Sequence, residues 1–169
     1  MAPLVLQERP KQDVMNDLSD LVAPEAILPR LAAASRRQAL QAMTDVLARV
    51  GKVSAREAFD AVLMRERLSG TGMGEGVAIP HAPVAGLVRP VGAFARLDPG
   101  QNFDAFDGKP ADLVFMLLSP PDKGADHLKA LARVSRFLRR ADVRDKLRAA
   151  RGADDLYALI SSASHSDAA

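Results

Sequence analysis

ADLVFMLLS, residues 111–119, carries a single charge and neither glycine nor proline. Such an unbroken apolar run has no polar face to turn to water, as expected of a strand covered by other elements on both sides. Downstream, a helical pattern runs from about Ala125 to about Arg140, and the segments LRAA (147–150) and DLYALI (155–160) make further helix. Upstream, GVAIP (76–80) and VGAFARL (91–97) read as strands, with DPGQ (98–101) as a turn. Earlier still, Ser35-Arg-Arg-Gln38 has the form of a capping box leading into ALQAMTDVLARV, a helix closing at Gly51. A second box, Ser54-Ala-Arg-Glu57, opens the helix EAFDAVLMRERL, which reaches about Leu68 and places Arg65 in its last turn. AILPRL (26–31) reads as a short first strand. Strands and helices interleaved in this way predict an α/β (α+β) domain: a mixed, mostly parallel β-sheet of about five strands, flanked by helices on both faces. The expected organisation is an N-terminal extension over 1–22, one domain over 23–162 and a C-terminal tail over 163–169.

A chain of 169 residues suits a single domain, because one of roughly 150 residues buries about 70% of its unfolded surface. Six Phe, one Tyr and no Trp leave an aliphatic core and few stacking platforms for single-stranded nucleic acid. A formal charge of only +2 gives no strong field for polyanions. The arginines between 133 and 151 are interleaved with Asp142 and Asp145, as on a solvated helical face, so no nucleic-acid partner is expected. The absence of cysteine excludes disulfides and thiolate chemistry. With no long apolar run and no cleavable leader, the chain reads as cytoplasmic, without membrane insertion.

Before the strand GVAIP, Gly70, Gly72, Gly74 and Gly76 alternate with other residues. A dinucleotide fingerprint places its glycines between a strand and the helix that follows, whereas here the glycines precede a strand; a phosphate loop of the G-x-x-x-x-G-K-[ST] kind is also missing. What this stretch delivers is a loop followed by a strand that presents His81 behind Pro80. Proline has no N–H for a ladder, so the strand is expected to end there and leave the ring exposed yet rigid. His127 falls in the opening turn of the helix after ADLVFMLLS, at the head of a stripe continued by Leu131, Val134 and Leu138. His165 lies in the small, polar terminus and is set aside. Two histidines without an obvious third ligand give no metal site.

Residues 54–83, SAREAFDAVLMRERLSGTGMGEGVAIPHAP, resemble the enzyme IIA domains of the bacterial phosphotransferase system, of the fructose and mannitol type, and especially the nitrogen-related regulatory branch. The resemblance extends to FDAFDGKPADLVFMLLSP (103–120) and His127-Leu128, and covers about 26–160. Ser69-Gly70 before Thr71 departs slightly from the family pattern. The resemblance implies the mannitol/fructose-type IIA fold and a phosphoryl carrier with no cofactor and no metal. In it His81 is the phosphoryl acceptor through Nε2, His127 a hydrogen-bond donor and Arg65 the cation that stabilises phosphate charge. It implies a small phosphohistidine carrier protein (NPr/HPr-like) as donor, and regulatory partners such as kinases or transport proteins, with a homo-oligomer left open. The alternative is a sugar-specific component passing phosphate to a IIB transporter subunit. The chemistry suits the residues, since phosphoryl transfer asks a protein mostly for position and charge stabilisation. Histidine titrates near neutrality and its neutral ring is a nucleophile, while arginine offers a permanent planar fork to phosphate oxygens.

Overall fold

The computed structural model describes residues 17–161. In chain order they form β1 (Val22–Leu31), α1 (Arg36–Gly51), α2 (Ala55–Leu68), β2 (Gly72–Gly74), β3 (Val77–Ala78), β4 (His81–Pro83), β5 (Val91–Gln101), β6 (Ala111–Ser119), α3 (Gly124–Arg139), α4 (Ala141–Ala149) and α5 (Ala153–Ser161). Most of the expected extension and tail, and with them His165, lie outside these residues. At the edge of the described part, Leu18, Leu21 and Val22 belong to the core.

Both helix starts form as their sequences require. Ser35 Oγ accepts from Gln38 N at 3.1 Å and Ser54 Oγ from Glu57 N at 3.2 Å, each satisfying a donor that the first turn leaves free. In the first box the Gln38 side chain closes on Ala34 N, one residue before the cap.

The apolar run is the middle of the sheet. The strand order is β1-β5-β6-β3-β2, with β4 also on β6. Pairings β1–β5, β3–β6 and β4–β6 are parallel; β5–β6 and β2–β3 are antiparallel. All of β6 but Asp112 is buried. Successive side chains of a strand point to opposite faces, so the contacts of β6 separate the two helical layers. Met116 meets Thr44 of α1, and Ser119, of the other parity, meets His127 of α3. Helices therefore cover both faces, and the continuous hydrophobicity of 111–119 follows.

One local expectation is corrected and a second is extended. DPGQ is not a free turn: β5 continues through it to Gln101, which pairs with Ala111, and the ladder is irregular between Arg96 and Gln101. β3 does end ahead of Pro80, at Ala78, but the sheet does not stop there. The Pro80 carbonyl accepts from Leu117 N at 2.9 Å, and the chain resumes as β4 along the same neighbour, His81 opposite Leu117 and Pro83 opposite Ser119. The missing proline N–H breaks the ladder without changing the chain's direction. This raises the strand count to six.

The ends of the domain are joined, since Leu18 N donates to Ile160 O at 2.9 Å and Arg133 binds both oxygens of Asp20 at 2.7 and 2.8 Å. That pairing holds the Asp20 carboxyl below its ordinary pKa.

Of the glycines, Gly72 is fixed by a close approach. Its N–H donates to Phe103 O at 2.9 Å, and a Cβ there would lie 2.8 Å from Phe103 O and Ala105 N. Backbone atoms on both counts leave no flexible side chain to yield. Gly72→Ala should therefore lower unfolding free energy by about 1–3 kcal/mol, read as a lower urea midpoint at unchanged m-value.

Candidate functional site

The register of β4 on β6 decides where His81 points. Partners across a parallel pair share a face, so His81, opposite Leu117, lies on the face to which Ser119 also belongs. That face is roofed by α3, whose stripe of Val134 and Leu138 is buried and whose first turn carries His127. The two imidazoles consequently meet, their ring centroids 5.5 Å apart and their planes inclined by 43°.

Each ring is anchored by one nitrogen. His81 Nδ1 lies 2.8 Å from the carbonyl oxygen of Ile79. A carbonyl only accepts, so Nδ1 carries the proton and the lone pair of the neutral ring is on Nε2. His127 Nδ1 lies 2.6 Å from Ser119 Oγ. Partial burial, and secondarily the repulsion that a protonated His81 would exert, hold His127 below the ordinary histidine pKa.

Ile79 is held in turn. Its N–H donates to Thr71 O at 3.1 Å, and Thr71 is clamped by Glu66, whose carboxylate accepts from Thr71 N at 3.1 Å and Thr71 Oγ1 at 2.7 Å. Glu66 is only 4% exposed and has Arg36 Nη1 at 3.5 Å as its counter-charge. Glu66, Thr71, Ile79 and His81 thus form a chain of contacts from the end of α2 to the ring.

Arg65, one residue before Glu66, faces a cleft of about 270 Å³ also lined by Gly70, Thr71, Gly72, Met73, Ile79, His81, Leu131 and Ser135. Its Nη1 donates to Ser69 O at 2.8 Å, fixing the guanidinium over the end of its own helix. The structure therefore brings Arg65 and His81 to one cleft and His127 to the side of His81. His127 is not among the cleft walls. A second hollow, about 330 Å³ between Asp20, Arg89, Asp126, Lys129 and Arg133, mixes charges of both signs and contains no histidine. Among the described residues no cluster of three or more His, Asp or Glu side chains could hold a metal, and no helix is long and apolar enough to cross a membrane.

The sequence alone gives Glu66, Thr71, Ser119 and Ser135 no role, although Glu66 follows Arg65 directly and Thr71 lies within the glycine-rich stretch. Glu66 did leave a signal, because it occupies a position of the stripe Ala58, Phe59, Val62 that α2 buries. A carboxylate there needs partners.

Paired imidazoles and an arginine thus stand at one end of a mixed sheet between two helical layers. The family comparison is specific. The model of the phosphoenolpyruvate-dependent sugar phosphotransferase system EIIA 2 family matches residues 20–163, and the chain belongs to that family as a phosphotransferase-type IIA component. It is 49% identical to a nitrogen regulatory protein of Bradyrhizobium diazoefficiens over 143 residues, 85% of this chain and 94% of the relative. It is 41% identical to the fructose-specific EIIA component of the phosphotransferase system of Haloferax volcanii over 79% of this chain and 87% of that one. Among solved structures, the nitrogen regulatory protein IIA-Ntr of Neisseria meningitidis superposes with a TM-score of 0.79 at 30% identity, covering 85% of this chain and 98% of that one.

The clamp at Thr71 generates a test of the scaffold. Glu66→Ala leaves a buried amide and hydroxyl of Thr71 without acceptors, and should cost about 1–3 kcal/mol in chemical denaturation. Glu66→Gln, which keeps one acceptor oxygen, should cost less.

Proposed function

We propose that this protein is a phosphoryl-carrier regulator of the nitrogen-related phosphotransferase chain, acting in the cytoplasm. His81 accepts a phosphoryl group from a small phosphohistidine carrier, and its phosphorylation state controls binding to regulatory partners. The observation that carries the chemistry is the anchoring of His81 Nδ1 on the Ile79 carbonyl, which leaves Nε2 as the free nucleophile beside a cleft that Arg65 shares. The step balances without a metal. The Nε2 lone pair of His81 forms a bond to phosphorus while the donor's N–P bond breaks, and the donor imidazole departs with that electron pair. Nδ1–H of His81 remains on Ile79 O throughout. Arg65 offsets charge on the equatorial oxygens, and a His127 N–H donates to one of them.

The regulatory branch is favoured by the names and the coverage of the Bradyrhizobium and Neisseria proteins, which are nitrogen regulatory proteins over nearly their whole length. The fructose-specific name of the Haloferax relative supports a second reading, a sugar-transport component that hands the group to a IIB subunit. Rapid, complete discharge onto a purified IIB subunit would select that reading. Phosphorylation-dependent binding of a regulatory protein would select the first.

Incubation with phosphoenolpyruvate and the upstream carriers should add the mass of one phosphoryl group, stable in base and labile in acid. His81→Ala should abolish the gain with the fold intact by circular dichroism, and full phosphorylation of that variant would reject the assignment. Arg65→Lys keeps the charge but loses the planar fork, and should slow transfer about 10–100-fold with stability within about 1 kcal/mol of wild type. An unchanged rate in stopped-flow transfer would leave Arg65 as a surface charge.

A further inference from the structure

Ser119 is the last residue of β6, and its neighbours in the sheet fix its backbone, since it pairs with Pro83 and its carbonyl accepts from Val84 N at 2.9 Å. The residue is 1% exposed, so water does not serve its hydroxyl. Among the described residues, the hydroxyl has one hydrogen-bond partner, His127 Nδ1 at 2.6 Å. A serine hydroxyl both donates and accepts, and a neutral imidazole nitrogen does one or the other. Were Nδ1 to donate to Ser119 Oγ, the hydroxyl proton would be left in a buried place without an acceptor, which costs far more than the reversed bond.

We infer that Ser119 is a positioning residue that donates to His127 Nδ1, and so fixes His127 as the Nε2–H tautomer with its ring plane set. The two histidines are then complementary in their protons. Ile79 places the proton of His81 on Nδ1 and leaves Nε2 as a lone pair, whereas Ser119 places a lone pair on Nδ1 of His127 and a proton on Nε2. One ring is prepared to take a phosphoryl group and the other to donate to it. This rests on the carrier reading for its consequence, but the proton placement stands on its own geometry. Nothing in the apolar run ADLVFMLLS besides this terminal serine supplies a polar atom to that face.

The two parts are tested separately. In two-bond 1H–15N correlation spectra of the wild-type protein, recorded above the His127 titration, His127 should show a protonated Nε2 and an unprotonated Nδ1; a protonated Nδ1 overturns the inference. In phosphoryl transfer, Ser119→Ala should lower kcat about 3- to 10-fold with KM for the carrier unchanged, because the buried hydroxyl cannot touch the carrier. Ser119→Thr, which keeps the hydroxyl, should restore most of the rate. In a His127→Ala background, Ser119→Ala should have no further effect, since it acts through that ring. A wild-type rate for Ser119→Ala, or an undiminished effect in the His127→Ala background, overturns the positioning role. If the wild-type protein takes up no phosphoryl group at all, the carrier reading fails, and the spectra alone still decide the proton on His127.

Discussion

The pairing of β4 with β6 is the constraint on which the site depends. His81 sits opposite Leu117, and a shift by one residue would turn the imidazole to the opposite face, away from α3 and His127. Three features hold the register. β6 is buried along nearly its whole length, so sliding would expose apolar side chains; Pro80, without a donor of its own, still gives its carbonyl to Leu117 N; and Val84 N closes the far end on Ser119 O. The end of the molecule that holds the candidate site is therefore specified by core packing, which leaves only a few polar atoms at the end of β6.

Much of this was legible in the sequence because its causes are local. Ser35 and Ser54 start helices by bonding three residues ahead, the stripe from His127 to Leu138 follows the helical period, and a charge-poor run such as 111–119 has only one environment in which to be stable. The elements that escaped depend on a partner chosen by the tertiary fold. The resumption of pairing as β4 behind Pro80 shows only once β6 lies beside it, and DPGQ reads as a turn until Gln101 finds Ala111. At the site, Arg65, His81 and His127 stand out by residue type and by resemblance, whereas Ser119 is one of many serines and gains its meaning only from a ring eight residues further on.

The arginines are a similar case. On the sequence those between 133 and 151 read as a solvated helical face; in the structure several arginines brace the layers. Arg148 binds Asp112 at 2.9 Å through two nitrogens and reaches Glu75 O at 2.8 Å, tying α4 to the start of β6 and to the turn between β2 and β3. Arg96, inside β5, donates to Pro29 O, Leu147 O and Ala150 O, which fixes a cation at the carbonyl end of α4 where the helix dipole favours it. Arg144 does the same for the last carbonyls of α3. Charges spent in this way are not available to a polyanion, and their long-range partners could not be read from spacing.

The bond between Leu18 N and Ile160 O has a consequence for architecture. It brings the entry and exit of the domain to one place, so the fold is nearly a closed ring of chain. A unit of this kind can be spliced into a larger polypeptide with both connections leaving side by side, and the host need not stretch to accommodate it. The same geometry makes the order of the elements along the chain less binding than their arrangement in space: a permuted gene that joins the chain near Leu18 and Ile160 and opens at the exposed bend around Gly108 would encode the same sheet, with His81 and His127 still meeting on one face of it.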